Sequence, residues 1–428
     1  MKQIRNLLPG RGITALLLGA VLGLTSCSEE GTTDNPGTAK QNRTIVVYMN
    51  ARNSLYANAT SDSTEIVRGA AHLKTGEQML VYLCRRKQAR LYHVTRQSAA
   101  TGMKLVMQYG EQVNASDPGH FGKVMKWIRE NYPSDTYGLV LWSHSDGWLP
   151  STNKINTRGF GVDAGPDSSI ASDYTTEGKL GYQMDLTDMA EALTESGLRP
   201  EFIFFDSCLM QCIEAAYALR GVTDYIVASP AQIPGVGAQY DQMMANAFYK
   251  TPFDPQAIVT EYVRQATEGP EYGDMGVVLS TIKTSELEQL AQKTSEMLER
   301  YVSTTEPDLS NVLAYDFYSS RSFYRPEYYD LQATMRHLIT NDADFQEWQE
   351  AMDRCIVARG ATPSISYWVG RSITLNEGEF CGVSMFVPQT RYTTNGTRCL
   401  YGDLNQAFTQ TEWYTAAGWD KTGLLDER

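Results

Sequence analysis

The sequence predicts an α/β protein built on a mostly parallel central sheet. Three observations predict it. Short unbroken apolar runs recur: RTIVVYM at 43–49, QMLVYLC at 78–84, YGLVLW at 137–142, FIFFD at 202–206 and DYIVAS at 224–229. A strand buried on both faces reads as such a run, whereas a half-solvated strand alternates. Helix-period stretches lie between the runs, at 118–131 and 185–197. Strand, helix, strand at this rhythm implies right-handed crossovers, which make neighbouring strands parallel.

The chain opens on a segment that reads as targeting rather than fold. Lys2, Arg5 and Arg11 form a basic start, and 13–24 is a 12-residue apolar stretch. That length suits the core of a signal peptide and is short for a membrane span. Leu24-Thr25-Ser26-Cys27 then has the form of a bacterial lipobox, which implies cleavage before Cys27 and acylation of its thiol. Ser28-Glu29-Glu30 is similar to acidic signals that send lipoproteins to the cell surface. The expectation is an exported, lipid-anchored protein of the cell envelope, in the outer membrane or at the cell surface. Residues 28–42, rich in Ser, Thr, Gly and Asn, read as a flexible tether.

The formal charge is −13, and loss of Lys2, Arg5 and Arg11 with the leader takes it to −16. An acidic surface argues against nucleic acid as a partner. Six cysteines follow Cys27: 84, 208, 212, 355, 381 and 399. They show no CxxC pair or zinc-type spacing, and with Cys208 kept as a thiol they cannot all pair. At most a 381–399 bridge is conceivable.

Taken in order, 43–49 opens the fold and brings Asn50, Arg52 and Asn53 to its C-terminal edge. A helix is expected over 60–73, a strand over 78–84, and two antiparallel pieces over 89–95 and 103–108. His93 lies in the first of these and reads as a sheet-surface residue. In the helix at 118–131, Pro118 stands near the first position and Phe121, Val124, Met125 and Ile128 share one face. The strand 137–142 ends in Ser143-His144-Ser145-Asp146-Gly147-Trp148. Residues 149–181 have little periodicity, and so long a loop between strands points to function. Asp185 and Gly197 bracket the next helix. FIFFD follows, then Ser207-Cys208 and a helix-period pattern of Leu209, Cys212, Ile213 and Ala216. Cys208 is therefore expected at a helix N-terminus, where the unpaired N–H groups and the dipole favour a thiolate, and Cys212 is expected to pack. After 224–229 comes a Gly/Pro loop at 230–240. A core at 43–250 is followed by an extension, 251–428, packed on it and extending its sheet. There a strand is expected at 275–282, helices at 284–302, 328–339 and 342–358, and strands at 364–369 and 381–387. The run 315–329 reads as packed aromatics, and Trp413 and Trp419 as anchors of the C-terminal segment.

The chemistry concentrates at two strand ends. Of the five histidines (72, 93, 120, 144 and 337), only His144 directly follows a buried strand. Parallel strands present their C-terminal ends on one edge, where α/β sites form. If 137–142 and 202–206 are neighbours, His144 and Cys208 meet there, and a thiol with an imidazole is a nucleophile–base pair.

The blocks LVLWSHSDGW, FFDSCLMQCIEAAY and YIVASPAQIPGVGAQY, in this order and spacing, resemble the clostripain-like cysteine peptidases, whose fold is of the caspase/gingipain type. The resemblance spans roughly 43 to 420. It implies a caspase-like α/β/α sandwich and a Cys–His dyad at Cys208 and His144. It implies an oxyanion hole from the backbone N–H groups of Ser145 and Cys208. Asp206 would stand in the S1 pocket, favouring Arg or Lys at P1, with the 230–240 loop as a wall. It implies activation by cleavage after a basic residue in 149–181, Arg158 or else Lys154. No metal or other cofactor enters the chemistry, although some relatives use a structural calcium. The family usually has Gly where Ser145 stands. No third residue orienting the imidazole is evident. Protein or peptide substrates follow. The rival reading is a non-catalytic surface lipoprotein of the same fold that binds protein or glycan.

Overall fold

The computed structural model describes residues 40–149, 159–169, 171–315, 328–366, 372–393 and 403–425. Cys27 and the leader, the tether up to residue 39, Lys154, Arg158, Cys399 and most of the 315–329 run lie outside them.

A nine-stranded sheet organises the chain. Its strands are β1 (Gln41–Asn50), β2 (Glu77–Arg85), β3 (Gln88–Val94), β4 (Lys104–Tyr109), β5 (Ser134–Trp142), β6 (Phe202–Asp206), β7 (Tyr225–Ala228), β8 (Val278–Lys283) and β9 (Ile356–Ala361). Their order across the sheet is β9-β8-β7-β6-β5-β1-β2-β3-β4. The middle five, β7-β6-β5-β1-β2, are parallel. Antiparallel pairs close both flanks.

The alternation explains the unbroken apolar runs. Val46, Tyr48, Leu139, Leu141, Ile203 and Phe205 face one core, and Ile45, Val47, Met49, Val140, Phe202 and Phe204 face the other. Helices α1 (Tyr56–Gly69), α5 (Tyr240–Asn246) and α6 (Pro255–Glu268) cover the second face. Helices α2 (Pro118–Asn131), α3 (Leu186–Ser196), α4 (Ile213–Ala218), α7 (Leu287–Tyr301), α8 (Leu331–Leu338) and α9 (Asp342–Cys355) cover the first. This is an α/β/α sandwich. Each of the four β6 aromatic and aliphatic side chains is almost wholly buried, worth about 2–3 kcal/mol apiece. That burial pins the register, because a one-residue slip would exchange the two faces.

Side-chain caps mark several helix starts. Asp117 accepts the His120 N–H at 2.7 Å ahead of Pro118, Asp330 accepts the Ala333 N–H at 2.9 Å, and Asn341 accepts two N–H groups at the head of α9.

Several expectations are corrected. No helix starts at Leu209: α4 begins at Ile213, with Cys212 as its N-cap, and 207–212 is a turn. Leu209 there holds φ +63, a conformation that interrupts a helix. Segment 149–181 holds one strand of a two-strand ribbon, Phe160–Asp163, which pairs with Tyr182–Met184 just beyond it. The helix expected to run to 358 stops at Cys355, and β9 continues the chain as the edge strand. Residues 364–366 pair with 372–374, and 384–385 with 329–330, in small separate sheets rather than the main one. Cys381 is an unbridged, buried thiol 3.4 Å from Asp330. His93 lies half-buried on a strand of the sheet, as a sheet residue does, and bonds Gln78 Oε1 at 2.8 Å. Trp413 packs edge-on against Tyr217 and Trp419 against Phe408, as C-terminal anchors do.

Candidate active site

The site grows from one register. On adjacent parallel strands, Trp142 at the end of β5 stands opposite Asp206 at the end of β6. His144 and Cys208 each follow two residues later, on the same edge. Both line a cleft of about 510 Å³, together with Ser54, Asn58, Asp206 and the 232–237 loop. Both also line a smaller recess of about 190 Å³ with Ser145, Asp173 and Gln183. A larger cavity of about 670 Å³ between 306–314 and 389–391 is lined by neither His nor Cys.

Cys208 is half-buried, and its Sγ accepts the Ile233 N–H at 3.4 Å. The Sγ also lies 4.0 Å from the Ile233 carbonyl, so the 232–237 loop holds the sulfur where a helix N-terminus was expected. The other described cysteines differ. Burial pushes the Cys84 and Cys355 thiols up to about 12 and the Cys212 and Cys381 thiols well above their ordinary range. These are packing residues, as expected for Cys212.

One short link binds the His loop to the Cys loop, and another binds it to the ribbon. Ser145 Oγ donates to the Cys208 carbonyl at 2.6 Å, and Ser145 itself bridges Phe160 of the ribbon. Ser145 is not among the residues with positive φ, so serine stands there unstrained; the left-handed position is Gly147, φ +72. A Cβ on Gly147 would come within 2.9 Å of both the Leu209 carbonyl and the Tyr328 ring.

Asp206 forms the buried floor of the cleft. Its carboxylate accepts the Ala238 N–H at 3.2 Å and the Tyr240 hydroxyl at 3.1 Å, with the Tyr262 hydroxyl at 3.5 Å. Burial raises its pKa to about 6 against the pull of these donors. Among the described residues no Lys or Arg pairs with it, so its charge has no internal counterion. A Cβ on Gly237, φ +63, would come within 2.9 Å of this carboxylate. Asp241, the next acid along, is held by Arg68 at 3.0 Å.

Two residues at the site escaped the sequence reading. His144 Nε2 lies 2.7 Å from Ser54 Oγ and 3.4 Å from Asp173 Oδ1. Asp173 also accepts the Ser54 N–H at 2.8 Å. Ser54 directly follows Asn53, at the sheet edge already singled out, so its place was within reach. Asp173 carried no signal, since it lies in the segment without periodicity. The expected neighbours Asn50, Arg52 and Asn53 are structural: Asn53 Nδ2 ties the Asn50 carbonyl, Ser143 and the Val162 carbonyl, and Arg52 binds backbone carbonyls and Asp163. Among the described residues no group of three or more His, Cys, Asp or Glu converges as a metal site.

Comparison with known proteins yields one family. A sequence model of the clostripain family, peptidase C11, matches residues 47–426. Clostripain of Hathewaya histolytica is 29% identical over 137 residues, which cover 31% of this chain and 24% of that protein's own length. A secreted C11 cysteine protease from Bacteroides thetaiotaomicron, solved with an irreversible peptide inhibitor, superposes with a TM-score of 0.71 at 26% identity. The match covers 89% of this chain and 100% of that one. An inactive zymogen C11 protease from Parabacteroides distasonis gives a TM-score of 0.67 at 23% identity, covering 89% and 99%, and shows the shared fold.

Proposed function

The chain belongs to the clostripain family of cysteine endopeptidases, and from that premise we propose that it hydrolyses peptide bonds through Cys208 and His144. The observation that carries the reading is the Trp142–Asp206 register, which brings an imidazole and a hydrogen-bonded sulfur to one cleft.

The Cys208 thiolate attacks the scissile carbonyl carbon, forming a C–S bond and an oxyanion. Backbone N–H groups of Ser145 and Cys208 hold that oxyanion. His144 gives a proton to the leaving amine as the C–N bond breaks, leaving an acyl-enzyme. A water, deprotonated by His144, then attacks the acyl carbon and releases the carboxylic acid with return of the thiolate.

Asp206 is the recognition group for Arg or Lys at P1. A carboxylate at the base of a cleft with no internal counterion gains most from an incoming cation, and a guanidinium can engage it with two hydrogen bonds. The 232–237 loop walls that pocket. Activation is by cleavage after Arg158 or Lys154, and the protein is anchored by lipid at Cys27 in the outer membrane or at the cell surface; both readings stand on the sequence. A structural calcium would serve the fold, not the reaction. Ser145, unstrained where relatives usually have Gly, gives no support to a non-catalytic reading.

The test is incubation with Arg- and Lys-terminated reporter peptides before and after a trypsin-like activator. The expected result is hydrolysis by the wild type and none by Cys208→Ala. Absence of turnover on a broad peptide library after activation would overturn the reading.

A further inference from the structure

We propose that Asp173, acting with Ser54, is a positioning residue for His144, fixing the orientation of its ring and keeping the ring proton on Nε2. The proposal rests on reading Cys208 and His144 as nucleophile and base.

The argument starts from who can donate. Asp173 Oδ1 accepts the Ser54 N–H at 2.8 Å and lies 3.4 Å from His144 Nε2, while Ser54 Oγ lies 2.7 Å from the same nitrogen. The Asp173 carboxyl is an acceptor throughout the neutral range: partial burial raises its pKa, but the hydrogen bonds from His144 and Ser54 overcome this and hold it at about 2. An ionised carboxylate can only accept. It stands 3.4 Å from the ring nitrogen, with the Ser54 hydroxyl oxygen at 2.7 Å beside it, so the ring is the partner with a proton to give. Nε2 is therefore the protonated nitrogen, and Nδ1 is the basic one. This is how a second residue selects a histidine tautomer.

Asp173 is held in place on its own account. Its carbonyl accepts the Gly181 N–H at 2.8 Å, Tyr174 bridges Leu180, and Thr175 and Lys179 close a turn. The ribbon that carries it is pinned to the end of β1, where the Ala164 N–H donates to the Arg52 carbonyl at 2.9 Å. A cut after residue 154 or 158 lies N-terminal to this ribbon and would leave the acid attached. The loop between the two site-bearing strands thus supplies a third member of the constellation.

The experiment measures two things in the full-length protein treated with a trypsin-like activator. One is the rate at which iodoacetamide alkylates Cys208, followed by mass spectrometry. The other is kcat and KM on an Arg reporter peptide. For Asp173→Ala the expected result is alkylation about tenfold slower and kcat lower by about 10- to 100-fold at nearly unchanged KM, the cost of a misplaced base. Asp173→Asn, which keeps an acceptor oxygen of the same shape, is expected to recover part of both. Adding Ser54→Ala to Asp173→Ala should cost little more, because the two act as a unit. Alkylation of folded Asp173→Ala at the wild-type rate or faster would overturn the proposal, whether or not any peptide is cut. Lack of turnover in the wild type bears only on the peptidase reading.

Discussion

Ser145 Oγ donates a hydrogen bond to the Cys208 carbonyl at 2.6 Å, so the residue after the histidine holds the backbone of the cysteine. The link crosses from the β5 end to the β6 end, directly beyond the Trp142–Asp206 pair. It couples the two loops that supply the proposed N–H groups for the oxyanion, and a serine achieves this where the family usually has glycine.

Removing that hydroxyl has a definite expected cost. A partly buried hydrogen bond of this kind contributes about 1 kcal/mol net, which is about fivefold in kcat/KM if it is felt in the transition state. Ser145→Ala and Ser145→Gly should both lose about that much, with melting temperatures close to wild type. Steady-state kinetics on an Arg reporter peptide checks this. A gain in activity for Ser145→Gly would mean that the hydroxyl hinders the site.

As the proposed recognition group for P1, Asp206 predicts a pH dependence in substrate binding. Burial raises its pKa to about 6, so its neutral form persists further up the pH scale than that of an ordinary carboxyl. A cationic P1 side chain needs the ionised form. Binding is therefore gained as pH rises through about 6 and lost as pH falls below it. KM for Arg and Lys peptides should climb toward tenfold per unit on the acid side, while kcat at saturation moves less, because a bound cation pulls the carboxyl back toward ionisation. Asp206→Asn should show weak binding of both peptides and no such limb. Profiles of KM and kcat over the acid range decide it.

The strand runs revealed the sheet and its hidden faces because burial on both sides leaves an unbroken apolar signature. The strand ends carrying His144, Cys208 and Asp206 were legible too, but that β5 and β6 are neighbours stood only as a condition, which their pairing meets. The turn at 207–212 was not: Leu209, Cys212 and Ile213 keep helical spacing through residues that the backbone does not coil, because Leu209 is held left-handed by its N–H bond to the Ala231 carbonyl at 3.0 Å. Asp173 was illegible for a different reason. A turn stapled by its own backbone leaves no periodicity, and its partner Ser54 lies 119 residues away.

Leu209 inverts an ordinary ranking. A non-glycine residue at φ +63 carries about 1–2 kcal/mol of strain, yet the side chain is 2% exposed and its burial contributes about 2–3 kcal/mol. Burial wins, which is why leucine stands there. Leu209→Ala keeps the strain and loses the packing. Leu209→Gly loses the packing but relieves the strain. Both should be less stable than wild type, with Gly the more stable of the two by about 1 kcal/mol, the reverse of their order in right-handed backbone. Urea unfolding of the three proteins checks the order, and an Ala variant more stable than the Gly variant would show that the turn relaxes.

His120 predicts a loss of stability in acid. Its ring is packed against Tyr82, whose hydroxyl lies 2.8 Å from Nε2. Desolvation lowers its pKa to about 4, helped by Lys123 and Arg52 and opposed by Asp117. In the unfolded chain the ring takes its proton near 6.5. Between these values the unfolded state binds the extra proton, so falling pH favours unfolding. The contribution is therefore present above about 6.5 and is lost as pH drops toward 4, by on the order of 2–3 kcal/mol. His120→Gln keeps a polar partner for Tyr82 and cannot titrate. Urea midpoints at neutral pH and near pH 4.5 should fall further in the wild type than in this variant. His93, also lowered to about 4 by desolvation, leaves a residual slope in both. Equal losses in the two proteins would mean that the His120 pocket admits water and the ring charges without cost.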